Sequence, residues 1–307
     1  MVDCVVVGAN GFLGSHLVDA LAARGHNVTA FDRFTEDQQF VAEGVKRVEG
    51  DFMNRSDLMR ALDGQEQVFH FLSTSSPATS ENDPTLDVET NVVGSIALFQ
   101  VAVEAGVRRI AFASTGGAIY GDQNALRITE ESIPMPISPY AIGKLTIEGY
   151  LRYFERKHGL QSVSFRISNP YGPRQHPHKK QGVIPIFLQQ IAEGLPITVL
   201  GDGTMMRDYI YVGDVARMIV ETVNRTPAFP VYNVGSGHGT SVNELVGLAR
   251  EITGRRVVVN HADQPVTFVQ RSILDVERFS SEFAGTALVD LPEGMALTWQ
   301  DTVDGAR

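Results

Sequence analysis

A tyrosine and a lysine four positions apart could together carry out proton transfer. Tyr140 and Lys144 lie in the segment YAIGK, and residues four apart share one face of a helix. A phenol has a pKa of about 10 and is a poor base near neutral pH, but a nearby ammonium favours the phenolate and lowers that pKa. The pair could therefore take a proton from an alcohol while a nicotinamide accepts the hydride. The alternative is a surface tyrosine that precedes a lysine by chance.

Two hydroxyl residues, Ser114 and Thr115, end a predicted buried strand, and Gly116 and Gly117 follow them. Side chains at the carboxyl ends of strands in an open α/β sheet face the ligand crevice. One of these hydroxyls could hydrogen-bond a substrate oxygen as charge moves. A solvent-exposed turn is the alternative.

A glycine-rich turn near the N-terminus predicts a dinucleotide site. The apolar run at 5–7 leads into Gly8, Gly11 and Gly14, and a helical pattern follows. Gly8 permits a tight turn, Gly11 lets the backbone approach a diphosphate, and Gly14 lets the helix lie close to the sheet. The positive end of the helix favours an anion. An ordinary strand-to-helix turn is the alternative.

An acid at the end of the next predicted strand completes this pattern. Asp32 lies 18 residues after Gly14, where a carboxylate can accept hydrogen bonds from an adenosine ribose and repel a 2′-phosphate. This predicts NAD rather than NADP, although Arg33 could offset the repulsion. Asp51 follows the third predicted strand, near the expected adenine pocket, and is either a cofactor contact or a turn residue.

Strands and helices alternate along the first half of the chain. Strands are predicted at 2–7, 27–31, 45–48, 67–71, 109–113, 162–167 and 231–234, and helices at 12–24, 86–105, 138–158 and 240–253. The alternation predicts an α/β fold with a doubly wound parallel sheet of the Rossmann type. We assign residues 1–168, with about 208–236, to a cofactor domain and 169–307 to a smaller, interwoven C-terminal substrate domain.

The helices predicted at 86–105 and 138–158 carry apolar residues on more than one face. Such a helix needs a second partner besides its own sheet. We therefore expect a homodimer, in which two helices from each chain form a four-helix contact.

The composition is that of an ordinary globular protein, with 307 residues, 43% of them hydrophobic and 20% charged. The net charge of −10 argues against nucleic acid or an anionic membrane as the main partner. Cys4 is the single cysteine, so no internal disulfide can form, which fits a reducing compartment. We see no targeting segment and no apolar run near the length of a membrane span, and therefore expect a cytoplasmic protein.

Taken together, these motifs resemble the extended short-chain dehydrogenase/reductase family, and within it the NAD-dependent nucleotide-sugar epimerase/dehydratase group. The resemblance covers nearly the whole chain. It is carried by 8–14, Asp32, Asp51-Phe52, Asn91, Ser114-Thr115, Tyr140 with Lys144, 169–174 and 207–212.

The resemblance implies NAD as cofactor, a nucleotide sugar as substrate, and a set of residues that bind them. The implied cofactor residues are Gly8, Gly11, Phe12, Leu13, Gly14, Asp32, Asp51, Phe52, Leu72, Ser73, Asn91, Ser114, Tyr140 and Lys144. The expected substrate residues are Asn169, Arg174, Arg207 and Arg271. A guanidinium suits phosphate oxygens, which agrees with the role of Arg207, and a local ion pair with Asp208 is the alternative.

The implied reaction is 4-epimerisation of a UDP-hexose, such as UDP-glucose, UDP-galactose or their N-acetyl forms, through a transient 4-keto sugar. Tyr140, Lys144 and Thr115 are the expected catalytic residues. The alternative is a 4-keto nucleotide-sugar reductase that consumes NAD(P)H. A non-catalytic nucleotide sensor is disfavoured because the tyrosine and the lysine are both intact.

Three departures from the group's usual pattern bear on the site. Gly116 stands where a third hydroxyl residue is usual, so we expect Thr115 to replace it and Gly116 to leave room for the sugar ring. Gly116 and Gly117 also replace the acid of the dehydratases, which argues against elimination. Pro265 and Phe268 replace an Arg-x-x-Asp pair, for which Arg271 could compensate.

A basic loop at 174–180 could gate an anionic substrate. Its two histidines, His176 and His178, suggest a metal site, but no third ligand is evident, and no metal is expected.

Overall fold

The computed structural model describes residues 1–75, 77–175, 182–263, 269–283 and 287–305. The histidines of the basic loop, with Pro265 and Phe268, lie outside these residues. The strands are β1 Asp3–Val7, β2 Asn27–Asp32, β3 Lys46–Glu49, β4 Gln67–His70, β5 Arg109–Thr115, β6 Gln161–Ile167, β7 Asn169–Tyr171, β8 Ile197–Leu200, β9 Met206–Tyr211, β10 Val231–Val234, β11 Gly239–Ser241, β12 Val259–Ala262 and β13 Arg271–Ser272.

The helices lie mainly between the strands. They are α1 Phe12–Ala23, α2 Arg55–Leu62, α3 Pro77–Ser80, α4 Pro84–Asp87, α5 Gly94–Glu104, α6 Pro139–His158, α7 Val183–Ala192, α8 Val212–Glu221, α9 Val242–Thr253, α10 Glu277–Glu282 and α11 Leu291–Gly305. A π-helix, Val88–Val93, joins α4 to α5.

Seven parallel strands form the central sheet, in the order β10-β6-β5-β4-β1-β2-β3. Helices α1, α8 and α10 pack on one face, and α2, α5 and α6 pack on the other. The predicted doubly wound α/β fold is therefore confirmed. Because all strands run the same way, the residues that follow β1, β2, β4, β5 and β6 meet at one edge of the sheet.

The C-terminal half adds a third hydrophobic cluster, built by α7, α9 and α11. Two small sheets accompany it: β9 lies between β11 and β13 and also pairs with β7, and β8 pairs with β12. Strand β10 returns to the edge of the central sheet beside β6. The chain thus crosses between the two halves more than once.

The helical segment Pro84–Glu104 differs from expectation in two respects. It includes the π-helix, and by length and composition alone it could cross a membrane, so the expectation that no apolar run is that long is wrong. Half of its most apolar window is buried within the fold. Among the buried residues of this segment are Leu98, Phe99 and Val101. They pack against the sheet and the neighbouring helices, as in the core helix of a globular protein.

Candidate active site

The turn between β1 and α1 leaves no space for side chains at its first and last glycines, Gly8 and Gly14. Gly8 has φ +88°, and a Cβ there would lie 2.7 Å from the backbone of Leu72. A Cβ at Gly14 would overlap the carbonyl oxygen of Gly8. Gly11, at the N-cap of α1, makes no side-chain capping hydrogen bond. The first N–H groups of α1, at Phe12 and Leu13, therefore open onto a side-chain-free cradle that fits a dinucleotide diphosphate.

Asp32 lies beside this cradle, at the end of β2. Its Oδ2 accepts a hydrogen bond from Asn10 N at 3.0 Å, and its Oδ1 accepts one from Arg33 N at 2.7 Å. These bonds hold the carboxylate next to the β1 turn, where an adenosine ribose would lie. The arrangement fits the expected role of Asp32.

Asp51 and Phe52 serve local structure with their side chains. Asp51 Oδ1 accepts a hydrogen bond from Met53 N at 2.8 Å in an exposed turn, which is the alternative reading of this residue. Phe52 is buried and stacks on His70, with ring centroids 5.4 Å apart. The Phe52 ring is part of the core, so the expectation of a cofactor contact is not met by its side chain.

Asn91 holds the loop that follows β4 against the π-helix. Its Oδ1 accepts from Thr74 N, and its Nδ2 donates to Ser75 Oγ, both at 2.9 Å. Ser73 and Asn91 line one small pocket together with Tyr140 and Lys144. The structure therefore brings these predicted residues together.

The expected catalytic residues meet at the carboxyl end of β5. Helix α6 begins after Ser138, whose side chain accepts from Ala141 N at 3.3 Å, so Tyr140 lies in the first turn. Lys144 Nζ donates to the carbonyl oxygen of Ala113 at 2.9 Å and lies 5.6 Å from the Tyr140 ring centroid. The Thr115 hydroxyl lies near enough to the Tyr140 phenol to lower its pKa.

The pKa of Tyr140 differs from the expectation. Burial of the phenol, and then the Asp87 carboxylate, raise its pKa to about 12, whereas the Thr115 hydroxyl lowers it. Burial also lowers the pKa of Lys144 to about 8, against the opposing effect of Asp87 and Glu148. In the protein alone the Tyr140 pKa thus lies above its usual value, because desolvation and the Asp87 charge outweigh the effect of Thr115.

The Ser114 hydroxyl is engaged by a buried carboxylate. It donates to Glu148 Oε1 at 2.6 Å, and Arg166 binds both oxygens of that carboxylate, at 3.1 and 2.8 Å. The structure thus does not place this hydroxyl with the cofactor residues, contrary to expectation. Sequence reasoning missed Glu148, although its position four residues after Lys144, on a buried helix face, was a usable signal.

The space beside Gly116 is filled by protein. A Cβ there would lie 2.5 Å from Leu274 Cδ1 and 2.7 Å from the carbonyl oxygen of Arg166. The expectation that Gly116 leaves room for a sugar ring is therefore wrong on the side where its Cβ would be, because protein atoms fill that space. Thr115 is left as the hydroxyl that lies near Tyr140.

The expected diphosphate residues lie on β7, β9 and β13. Asn169 Nδ2 donates to the carbonyl oxygen of Asp208 at 2.9 Å. Arg207 donates to the carbonyls of Met206 and Val269, and burial lowers its pKa. Arg271 is on the strand next to β9, and its Nε has no partner among the described residues. Neither guanidinium is matched by a carboxylate in the described part of the chain, which favours an anionic ligand.

Asp208 does not pair with Arg207, so the ion-pair alternative is wrong. Its carboxylate is fully buried and accepts from Ser236 N at 2.8 Å and Gly237 N at 3.1 Å. These bonds tie β9 to the chain after β10, so Asp208 orients the strand that carries Arg207.

Arg174 is engaged elsewhere, contrary to the expectation that it binds substrate. Its Nη1 donates to Asp19 Oδ2 at 2.7 Å, and its backbone N donates to Asp301 at 3.0 Å. Arg174 therefore links α1 to α11 and does not join Arg207 and Arg271. Over the residues that can be described, no cluster of three or more metal-binding side chains occurs.

The parallel sheet, the glycine cradle with Asp32, and the Tyr140–Lys144–Thr115 cluster define an NAD-binding enzyme of the short-chain dehydrogenase/reductase type. Residues 4–235 match the model of the NAD dependent epimerase/dehydratase family. The chain belongs to this family.

Several characterised proteins resemble this chain over its whole length. It is 33% identical over 301 residues to UDP-glucose 4-epimerase of Mycolicibacterium smegmatis, which covers 96% of both chains. The structure of UDP-glucose 4-epimerase with UDP-glucose from Thermotoga maritima has a TM-score of 0.93 at 34% identity, covering 99% of this chain and 100% of that one. The UDP-glucose 4-epimerase of Thermus thermophilus in complex with NAD has a TM-score of 0.91 at 35% identity, covering 98% and 99%.

Proposed function

We propose that this chain is an NAD-dependent nucleotide-sugar 4-epimerase that acts on a UDP-hexose, such as UDP-glucose and UDP-galactose or their N-acetyl forms. The Tyr140–Lys144 pair, with Lys144 Nζ 5.6 Å from the Tyr140 ring centroid and bound to the Ala113 carbonyl of β5, carries this proposal. A proton acceptor at this strand edge, with the Thr115 hydroxyl nearby, is what the proposed reaction needs. The similarity to three UDP-glucose 4-epimerases supports the substrate class.

NAD, when bound, supplies the hydride acceptor for C4 of the sugar and the hydride donor for the return step. Tyr140 removes the proton from O4 as the C4–H bond breaks, and Thr115 hydrogen-bonds the same oxygen as it becomes a carbonyl. Lys144 favours the phenolate form of Tyr140 by its positive charge. Tyr140 then returns the proton after the 4-keto sugar has presented its other face. The reaction causes no net oxidation or reduction.

The substrate's diphosphate is proposed to bind Asn169, Arg207 and Arg271. Arg207 and Arg271 are partly buried, and their guanidiniums have no carboxylate partner among the described residues. A desolvated guanidinium gains most from a bound phosphate. We also assign residues 1–168 with about 208–236 to the cofactor half, in keeping with β10 at the sheet edge, and 169–307 to the substrate half.

We propose a homodimer and a cytoplasmic location as well. Exposed apolar side chains lie along the π-helix and α6, among them Val88 and Val93 at 50% and 51% exposure and Ile142 at 50%. This is the face expected to meet a second copy of the chain. The single cysteine, Cys4, is buried and free, which fits a reducing compartment.

The reaction is tested by incubating the purified protein with a panel of UDP- and dTDP-sugars and following the C4 epimers by NMR. An epimerase needs only its bound NAD, so we expect turnover without added cofactor. A requirement for stoichiometric NADH or NADPH would instead identify a 4-keto reductase.

Tyr140→Phe should lower turnover by roughly 10²–10⁴, the usual worth of a positioned acid–base group, while leaving the fold and the bound NAD in place. Tyr150→Phe, on the same helix but 37% exposed, is the matched control and should keep its turnover. Turnover is measured by NMR, and released cofactor is measured by mass spectrometry. Near-normal turnover in Tyr140→Phe would mean that another group transfers the proton.

A further inference from the structure

A buried carboxylate, that of Asp87, lies behind the catalytic pair. Asp87 is 2% exposed. Its Oδ1 accepts hydrogen bonds from the Ser75 hydroxyl and from Asn91 Nδ2, the latter at 2.9 Å. Its Oδ2 has no partner among the described residues, where Asp87 also forms no direct ion pair. A buried charge without a cationic partner is costly, so a compensating charge is expected nearby.

The free oxygen of Asp87 faces helix α6 at Gly143. A Cβ at Gly143 would lie 2.8 Å from Oδ2, so only glycine lets the carboxylate approach the helix this closely. Gly143 precedes Lys144, and Tyr140, Gly143 and Lys144 line the same small pocket as Asp87. The carboxylate therefore lines the same pocket as the two catalytic side chains and lies within electrostatic reach of both.

Lys144 needs a counter-charge in this position. It is 4% exposed, and the one hydrogen bond recorded for its Nζ is to the neutral Ala113 carbonyl. The charged or titratable groups that face it are Asp87, Glu148, His70 and Tyr140. Burial lowers the pKa of His70 to about 3, so this imidazole is neutral, and the Tyr140 phenol is neutral as well.

Glu148 does not fully balance the charge of Lys144, because Arg166 binds both oxygens of the Glu148 carboxylate. Asp87 is thus the one carboxylate near Lys144 whose charge no arginine offsets in the described part of the chain. Asp87 ends α4, directly before the π-helix that carries Asn91. Such π segments are frequent at functional sites, and this one aligns Asn91 to bind Asp87 Oδ1.

We propose that Asp87 is a positioning residue for the epimerisation proposed above: its buried carboxylate is the counter-charge that holds Lys144 as an ammonium beside Tyr140. The same negative charge opposes formation of the phenolate. Asp87 thus keeps the proton on Tyr140 until a further positive charge enters the site.

The chain contains only five lysines, so the charge of Lys144 can be measured directly. The protein is labelled with [ε-¹³C]lysine, the Lys144 signal is assigned with Lys144→Met, and its chemical shift is followed against pH. In Asp87→Asn, which keeps the shape and removes the charge, we expect the Lys144 midpoint to fall by about one pH unit or more. Glu89→Gln removes an exposed carboxylate two residues away and should leave the midpoint unchanged.

An unchanged Lys144 midpoint in folded Asp87→Asn would overturn the proposal, and so would a shift of equal size in Glu89→Gln. Asp87→Ser carries the same measurement if the asparagine variant does not fold. A second readout is the alkaline limb of the pH profile of kcat, which should move to lower pH in Asp87→Asn and return in Asp87→Glu. The NMR titration needs no substrate, so a failure of the proposed reaction would not affect it.

Discussion

A substitution at Thr115 tests whether a second hydroxyl assists proton transfer by Tyr140. Thr115→Val keeps the side-chain shape and removes the hydroxyl proposed to hydrogen-bond the substrate oxygen, so turnover should fall by the equivalent of about 1–3 kcal/mol. The measurement is the epimerisation rate by NMR, compared with Ser114→Ala.

Ser114 is the matched control because its hydroxyl binds Glu148 instead. Ser114→Ala should lower stability more than turnover, as it leaves part of a buried carboxylate without a donor. Normal turnover in Thr115→Val combined with a loss in Ser114→Ala would transfer the assisting role to Ser114.

For Gly116→Ser, the packing around Gly116 leads to the opposite expectation from the one that the motif suggests. The family resemblance implies a hydroxyl residue there, but Leu274 and the Arg166 carbonyl occupy the Cβ direction. Gly116→Ser should therefore destabilise the protein by about 1–3 kcal/mol, as overpacking does, and gain no activity. Urea unfolding measures the loss, and Gly117→Ala, whose nearest contact would be 3.3 Å away, should cost less. Equal stability of Gly116→Ser and the parent would show that the β6 backbone and Leu274 shift to accommodate the serine.

At the scale of elements, β4 carries a buried histidine that makes the sheet sensitive to acid. His70 Nε2 lies 2.8 Å from Ser95 Oγ, which itself donates to the Asn91 carbonyl, so the imidazole donates here and Nδ1 has no partner among the described residues. Burial, with a contribution from the Lys144 charge, lowers its pKa to about 3. Because the unfolded chain binds this proton near pH 6.5, the stabilising effect is complete above that pH and is lost as the pH falls towards 3.

Between pH 7 and pH 5, His70 should account for a loss of about 2 kcal/mol in the free energy of unfolding. His70→Gln should remove that part of the pH dependence, measured by urea unfolding at both pH values. His158→Gln, at the exposed end of α6, is the control and should retain it. An identical pH dependence in His70→Gln and the parent would contradict this assignment.

The central elements could be predicted because their patterns are local. The apolar run before Gly8 and the helical spacing after it identified β1 and α1 to within one residue. The short strands β7, β8, β11, β12 and β13 have two to four residues and carry too little periodicity to be recognised. The π-helix was also missed, since its wider turn follows from the bonds of Asn91 and Asp87 and not from propensity.

The site could be predicted where a motif is local and not where a contact is distant. That Tyr140, Lys144 and Thr115 lie together could be predicted because four-residue spacing and a strand end suffice to place them. Arg174 was misplaced because its partner Asp19 is 155 residues away in sequence. Phe52 was misplaced because nothing in its neighbours reveals that His70 stacks on it.

At the scale of the whole molecule, the proposed dimer is the feature most open to a direct test. Ile142→Asp places a charge in the exposed apolar face of α6 and should yield a monomer, since a desolvated aspartate at an interface is strongly unfavourable. Light scattering after size exclusion measures the mass. Leu195→Asp alters an equally exposed leucine in the other half and should leave the mass unchanged. A parent protein that is already monomeric would refute the interface.

The close packing around Gly116 also constrains the descent of this active site. A lineage that carries Leu274 against Gly116 cannot acquire a serine there by one favourable substitution, because the side chain at 116 would enter an occupied space. A smaller residue at 274 and a displaced β6 backbone would have to come first, each without advantage of its own. Positions 116 and 274 are therefore coupled, and a serine at 116 becomes accessible to selection only after the space beside it has opened.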